Sequence, residues 1–343
     1  MIVDARVLQP EFVPGDVVHR DQEVQYLSSV LQPILDGRSA DSAFLHGPSG
    51  SGKTCIARFT VERLRENVVD VNTQYVNCWR HYNRFKALHK ILEGIGEAFD
   101  VHRQSTPRDV LLDRLDEYDG PPYVVILDEV DQLEDKGLLY DLYRVPQVTM
   151  MLIANSEQEV FAEFDDRVAS RLNSCNSIRF HTYNTAELVS ILDARVQSGL
   201  EPGVITDSQL TNIAESVAGD ARTAIGILRN AAKHAQANGL WEITDDVIDD
   251  AIPETRREIQ QADLERLTDD QRALYNIIEE AGEVSPSDLY EQYEAAVDRP
   301  KSRRMIRSYL SKMEHYNLLE ADGATRSRVY RAVDQAPDVI PVE

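Results

Sequence analysis

The sequence predicts an α/β chain: a parallel sheet covered by helices on both sides, then an all-helical unit, then a basic C-terminal unit. Short apolar runs alternate with segments of helical period through the first half. A Gly-rich segment, Gly47-Pro48-Ser49-Gly50-Ser51-Gly52-Lys53-Thr54, lies between one such run and one such helix. Beyond Tyr183 only helical patterns follow until two short strands flank Asp322-Gly323.

In order, Ala43–Leu45 is a short strand, and Ile56, Phe59, Val61 and Leu64 mark the helix after the Gly-rich loop. A strand at Gln74–Asn77 precedes a helix carrying Phe85, Leu88, Ile91, Leu92 and Ile95. Ser105-Thr106-Pro107 opens a helix over Arg108–Tyr118, with Pro107 at its first position. Tyr123–Leu127 and Thr149–Ala154 are continuous apolar runs, as strands buried on both faces require. Helices follow at Thr185–Gln197, Thr206–Val217, Ala221–Gln236 and Thr244–Ala251, and the polar stretch Pro253–Asp263 reads as a connector. The last unit reads as helices Asp270–Glu280, Ser287–Ala296 and Ser302–Tyr316 followed by the hairpin.

At 343 residues the chain exceeds one compact core, and 42% hydrophobic with 28% charged residues is a globular composition. Neither a run of about 18 apolar residues nor a basic, apolar leader is present, so the expected location is cytoplasmic, with no membrane partner. Cys55, Cys78 and Cys175 lack metal-ligand spacing and read as reduced thiols. The formal charge of −23, with 7 Lys against 29 Arg, suits a high-salt cytoplasm and speaks against nucleic acid as a partner of the whole surface. Residues 299–331 reverse the sign: nine basic against three acidic residues make +6 there and leave −29 for the remainder.

The Gly-rich loop fits G-x-x-x-x-G-K-[ST] in full. Gly50, Ser51 and Gly52 turn backbone N–H groups toward phosphates, the helix that follows aims its positive end at them, Lys53 reaches the terminal phosphates, and Thr54 can ligate Mg²⁺. Asp128-Glu129 ends the next buried strand, where Asp128 can hold the Mg²⁺ shell and Glu129 can polarise an attacking water. Asn155 ends the strand after it, at the sheet edge where ligands sit. Arg167, Arg171 and Arg222 would by default be solvated side chains, but phosphoryl transfer needs guanidinium groups near the site.

In the third C-terminal helix Met305, Ile306, Tyr309, Leu310 and Met313 recur at helical spacing, while Arg303, Arg304, Arg307, Ser308 and Lys312 share the other side. With Arg326 and Arg328 in the hairpin, this is the pattern of a winged-helix domain that reads double-stranded DNA. A charge run is more often a solvated face; here the reversal of sign in an acidic chain favours DNA.

The order of these motifs resembles the AAA+ ATPases, and more closely the archaeal replication initiators related to the origin recognition complex and the cell-division-cycle helicase loader. The resemblance runs from Val18-His19-Arg20, which looks like the adenine-side motif, to Val333. It implies an AAA+ base at 1–183, a helical lid at 184–255, a winged-helix domain at 264–333 and a tail at 334–343. It implies ATP/ADP and Mg²⁺ as cofactors, with Asn155 as sensor 1, Arg171 as an arginine finger, Arg222 as sensor 2, and Cys55, Tyr183 and Arg195 beside the nucleotide. From the residues alone, Tyr183 reads as a core aromatic and Arg195 as a surface residue. A second DNA contact is implied at Phe99–Leu111, where only Arg103 and Arg108 are basic. The implied function is a slow, regulatory ATPase that binds origin DNA, self-associates on it and helps recruit the replicative helicase, associated with the nucleoid. A DNA-binding regulator without a replication role and a ring-forming remodelling ATPase are the competing readings.

Overall fold

A computed structural model describes the chain except for residues 68–69, 103–106, 163, 165–168, 171, 173–174, 324–327 and 334–343. The described residues form two units, Met1–Ile248 and Asp249–Glu343. In the first, parallel strands lie in the order β2-β3-β4-β1-β5, where β1 is Ala43–His46, β2 Asn72–Asn77, β3 Tyr123–Asp128, β4 Val148–Ala154 and β5 Asn176–Arg179. The edge strand β5 goes beyond the sequence reading. Ile178 is its one buried side chain, so its own pattern is too weak to announce it, and pairing with β1 recruits it.

Alternate residues of the central strands enter opposite cores, as a period of two demands. Tyr123, Val125 and Leu127 join one apolar cluster with Met150 and Leu152 of β4, against α3 (Arg84–Glu93) and α5 (Gly137–Arg144). Val124 and Ile126 join the other with Met151, Ile153 and Leu45, against α1 (Asp21–Leu31) and α2 (Lys53–Asn67). Each fully buried Leu or Ile there contributes about 1.5–3 kcal/mol. Between α3 and β3 lies α4 (Arg108–Asp116), for which Pro107 is the cap residue rather than the first helical one. A short α6 (Glu157–Ala162) follows β4.

Three helices complete the first unit: α7 (Thr185–Gly199), α8 (Asp207–Glu215) and α9 (Ala221–Ala237). Their starts are written in the sequence, since Asn184 with Glu187 and Thr206 with Gln209 make capping boxes and Asp220 caps α9. The stretch Pro253–Asp263, which reads as a connector in the sequence, is helical. It lies inside one helix, α10 (Asp245–Arg266), which tolerates Pro253 at the cost of one backbone hydrogen bond.

The second unit contains α11 (Asp269–Ala281), α12 (Pro286–Ala296), α13 (Arg303–His315) and the antiparallel pair β6 (Leu319–Asp322) and β7 (Val329–Ala332), a winged-helix arrangement. On α13, Ile306, Tyr309, Leu310 and Met313 are buried as expected, while Met305 is half-buried. Among the described residues no helix is long and apolar enough to cross a membrane.

Candidate nucleotide site and basic face

The Gly-rich loop leaves the C-terminal end of β1, beside β4, with β3 one strand further on. Gly50 and Gly52 take φ of +67° and +96°, and a Cβ on Gly50 would run into the Asp220 carboxylate. Lys53 opens α2, only 7% exposed; its ammonium donates to Gly47 O and Pro48 O, both at 2.7 Å, and to Asn155 Oδ1 at 3.2 Å. Burial pushes it down to about 8, although the carboxylates of Asp128, Asp131, Glu129 and Asp220 pull the other way.

Thr54 Oγ1 donates to Asp128 Oδ2 at 2.9 Å, and the Tyr75 hydroxyl donates to the same oxygen at 2.7 Å. Asp128 is 5% exposed, and burial raises its carboxyl above the usual range against those hydrogen bonds. Glu129 sits at φ +56°, which turns its side chain off the strand, and Asn77 Nδ2 donates to its Oε2 at 3.2 Å. The fold thus brings Lys53, Thr54, Asp128, Glu129 and Asn155 together, as the motifs imply. Tyr75 and Asn77 were not legible as members. They are alternate residues of β2, and only the register Asn77↔Asp128 reveals where they face.

The loop also meets the chain that leads into α7–α9. Ala221, the first residue of α9, donates its N–H to Gly50 O at 3.2 Å, and half-buried Arg222 is the next residue of that helix. Tyr183 is buried, its hydroxyl against Gly52, and the Arg20 guanidinium lies 4.0 Å from its ring centre. Cys55 is half-buried beside the loop, and burial raises its thiol. Arg195 is 6% exposed rather than at the surface; its guanidinium donates to Val7 O at 2.7 Å and Phe12 O at 3.1 Å, pinning the N-terminal segment. That segment continues along α7, where Val3 N and Asp4 N both donate to Gly199 O. Arg167 and Arg171 lie outside the described residues, as does Arg103.

Oxygen donors at Thr54 and Asp128 suit Mg²⁺ held jointly with phosphate. Among the described residues no cluster of three His, Cys, Asp or Glu side chains could hold a metal by itself. In the second unit Arg303, Arg304 and Arg307 are exposed on α13, with Arg303 stacked 5.4 Å over the Tyr290 ring. Lys312 is half-buried. Arg328 is paired with Glu314 at 2.7 Å, and Arg326 lies outside the described residues.

A family model described as an AAA domain matches residues 36–159, and one described as a Cdc6 AAA+ ATPase-type lid domain matches 189–253. ORC1-type DNA replication protein 9 of Halobacterium salinarum is 52% identical over 340 residues, spanning 99% of this chain and 96% of that one. ORC1-type DNA replication protein 1 of the same organism is 57% identical over 308 residues, spanning 90% of this chain and 100% of that one. The solved structure of the Aeropyrum pernix ORC1 protein in complex with DNA is similar at TM-score 0.76 and 25% identity, covering 98% of this chain and 94% of the other.

Proposed function

Because the chain belongs to the ORC1/Cdc6-type replication initiators, a family of AAA+ ATPases, we propose that it is an ATP-switched protein that binds duplex DNA at replication origins and helps recruit the replicative helicase. The convergence of Lys53, Thr54, Asp128 and Asn155 at one sheet edge supports the nucleotide half of this reading. Lys53 would leave Gly47 O and Pro48 O for the β- and γ-phosphates, while Thr54 and Asp128 would hold Mg²⁺. When bound, Mg²⁺ neutralises charge on the phosphate oxygens.

Glu129 would take a proton from the attacking water and Asn155 would orient that water. Arg222 would approach the phosphates from the lid, and Arg171 would serve a neighbouring copy on DNA. Hydrolysis should be slow and regulatory. Two side chains must first give up ground-state partners, Lys53 its carbonyl oxygens and Glu129 the Asn77 amide. The exposed Arg303, Arg304 and Arg307 support the DNA half, as does the similarity to the Aeropyrum pernix ORC1 protein solved in complex with DNA.

The decisive experiment maps chromosome-wide binding in the native host for the wild type, Lys53→Ala and Glu129→Gln. Sharp occupancy at replication origins, lost or displaced in Lys53→Ala, is the expected result. Occupancy confined to promoters would instead make it a DNA-binding regulator without a replication role.

A further inference from the structure

We propose that Arg20 is a positioning residue of the nucleotide site, tying the phosphate loop and the base-to-lid linker through a single guanidinium; this rests on the nucleotide reading above. Arg20 is a charged side chain only 5% exposed, next to the start of α1. Its Nε and Nη2 both donate to Ser51 O, at 3.3 and 3.1 Å, and Nη2 also donates to His181 O at 2.6 Å. Nη1 meets Glu23 Oε1 at 3.1 Å. Its guanidinium carbon lies over the Tyr183 ring, 4.0 Å from the ring centre, and 5.7 Å from the Phe180 ring centre.

A loop that turns its N–H groups inward toward phosphate turns carbonyls outward, and those need donors. Ser51 O is one such carbonyl, in the middle of the Gly50-Ser51-Gly52 turn. Residues 180–184 connect β5 to α7, so His181 and Tyr183 report the stance of the helices beyond. A guanidinium is suited to this double task, because its planar fork can serve two carbonyls and stack on a ring at once, whereas an ammonium cannot. A buried ion pair kept only for stability could be replaced by apolar side chains at little or no loss. The contacts of Arg20 instead converge on backbone atoms of the loop and linker. Nucleotide that reshapes the loop at Ser51 would therefore be felt at residues 180–184, and the reverse.

The test compares wild type, Arg20→Lys, the double variant Arg20→Met/Glu23→Leu, which removes the pair without stranding a carboxylate, and Lys53→Ala. Affinity for fluorescent ADP and ATP is measured by titration. Amide hydrogen exchange of residues 180–184 is followed without nucleotide and at saturating ADP, and urea midpoints record stability. Nucleotide is expected to bind at least tenfold more weakly to Arg20→Lys and to the double variant, whatever happens to the urea midpoint. ADP is expected to protect residues 180–184 in the wild type and not in these variants. Affinity within twofold of wild type together with intact ADP-dependent protection, in whichever of the two variants folds, would overturn the role of Arg20. Undiminished binding by Lys53→Ala would overturn the nucleotide reading itself, which keeps the two failures apart.

Discussion

The side-chain amide of Asn77 donates to the Glu129 carboxylate at 3.2 Å, across the register that sets Asn77 opposite Asp128 on neighbouring strands. A carboxylate that accepts a hydrogen bond is held in one orientation and must give up that bond to act on water. Removing the amide in Asn77→Ala should raise ATP turnover by about two- to tenfold, the kinetic equivalent of roughly 0.5–1.5 kcal/mol for one hydrogen bond. Asn77 Oδ1 also accepts from the amides of Trp79 and Arg80, so some stability is lost as well. Steady-state phosphate release checks this; unchanged turnover would mean that the amide does not restrain Glu129.

Lys53 carries a pH dependence of defined sign. Burial pushes it down to about 8, from 10.5 for an exposed lysine. Phosphate needs the ammonium form, so above pH 8 binding must take up a proton. Nucleotide affinity should then fall by up to about tenfold per pH unit. Stability moves the other way. Between about 8 and 10.5 the unfolded chain holds the extra proton, so the penalty of burying the charge fades as pH rises. Titrations from pH 6.5 to 9.5 with Lys53→Arg as control should give a slope only in the wild type.

Much of the site is legible in the sequence because its members are fixed by local chemistry. The loop Gly47–Thr54 needs its glycines in place, and Asp128 and Asn155 each end an apolar run that can only be a buried strand. Asn77 and Tyr75 are not legible in the same way, and Arg20, flagged only through the resemblance of Val18-His19-Arg20 to an adenine-side motif, gives no sign of its partners Ser51 O and His181 O. The first two are ordinary polar residues whose place depends on strand register, and the contacts of Arg20 depend on chain more than a hundred residues away. The helical state of Pro253–Asp263 is hidden for another reason: a polar stretch opened by proline has the composition of an irregular segment, yet it continues α10 as one helix.

Arg195 separates two accounts of one residue. The resemblance puts it beside nucleotide, whereas here it donates to Val7 O and Phe12 O and lies 5.0 Å from the Phe12 ring centre. Arg195→Ala leaves the buried Val7 carbonyl without this donor, at about 1–3 kcal/mol, and the half-buried Phe12 carbonyl at less. A lower urea midpoint with nucleotide affinity changed less than threefold is the expected result. An affinity loss of tenfold or more at unchanged stability would return Arg195 to the nucleotide.

DNA affinity should reside on α13, although the whole-chain charge of −23 argues against any. Counterion release depends on charges within reach of phosphates, and a Debye length of roughly 8 Å at physiological ionic strength hides distant carboxylates. Arg303 and Arg307 are exposed near the N-terminal half of α13, and reversing both to Glu in the full chain should abolish most duplex binding. Arg328 differs. Glu314 already neutralises it at 2.7 Å, so Arg328→Ala should cost less than Arg303→Ala. Every arginine withdrawn from a DNA phosphate should lower the slope of log affinity against log salt by about 1. Any isolated fragment should begin near Asp249 rather than Leu264, since Gln260 Nε2 donates to Val333 O just beyond β7. Mobility shifts over a salt series with origin and random duplexes measure all of this. Undiminished origin binding by Arg303→Glu/Arg307→Glu would move the DNA-binding surface away from α13 altogether.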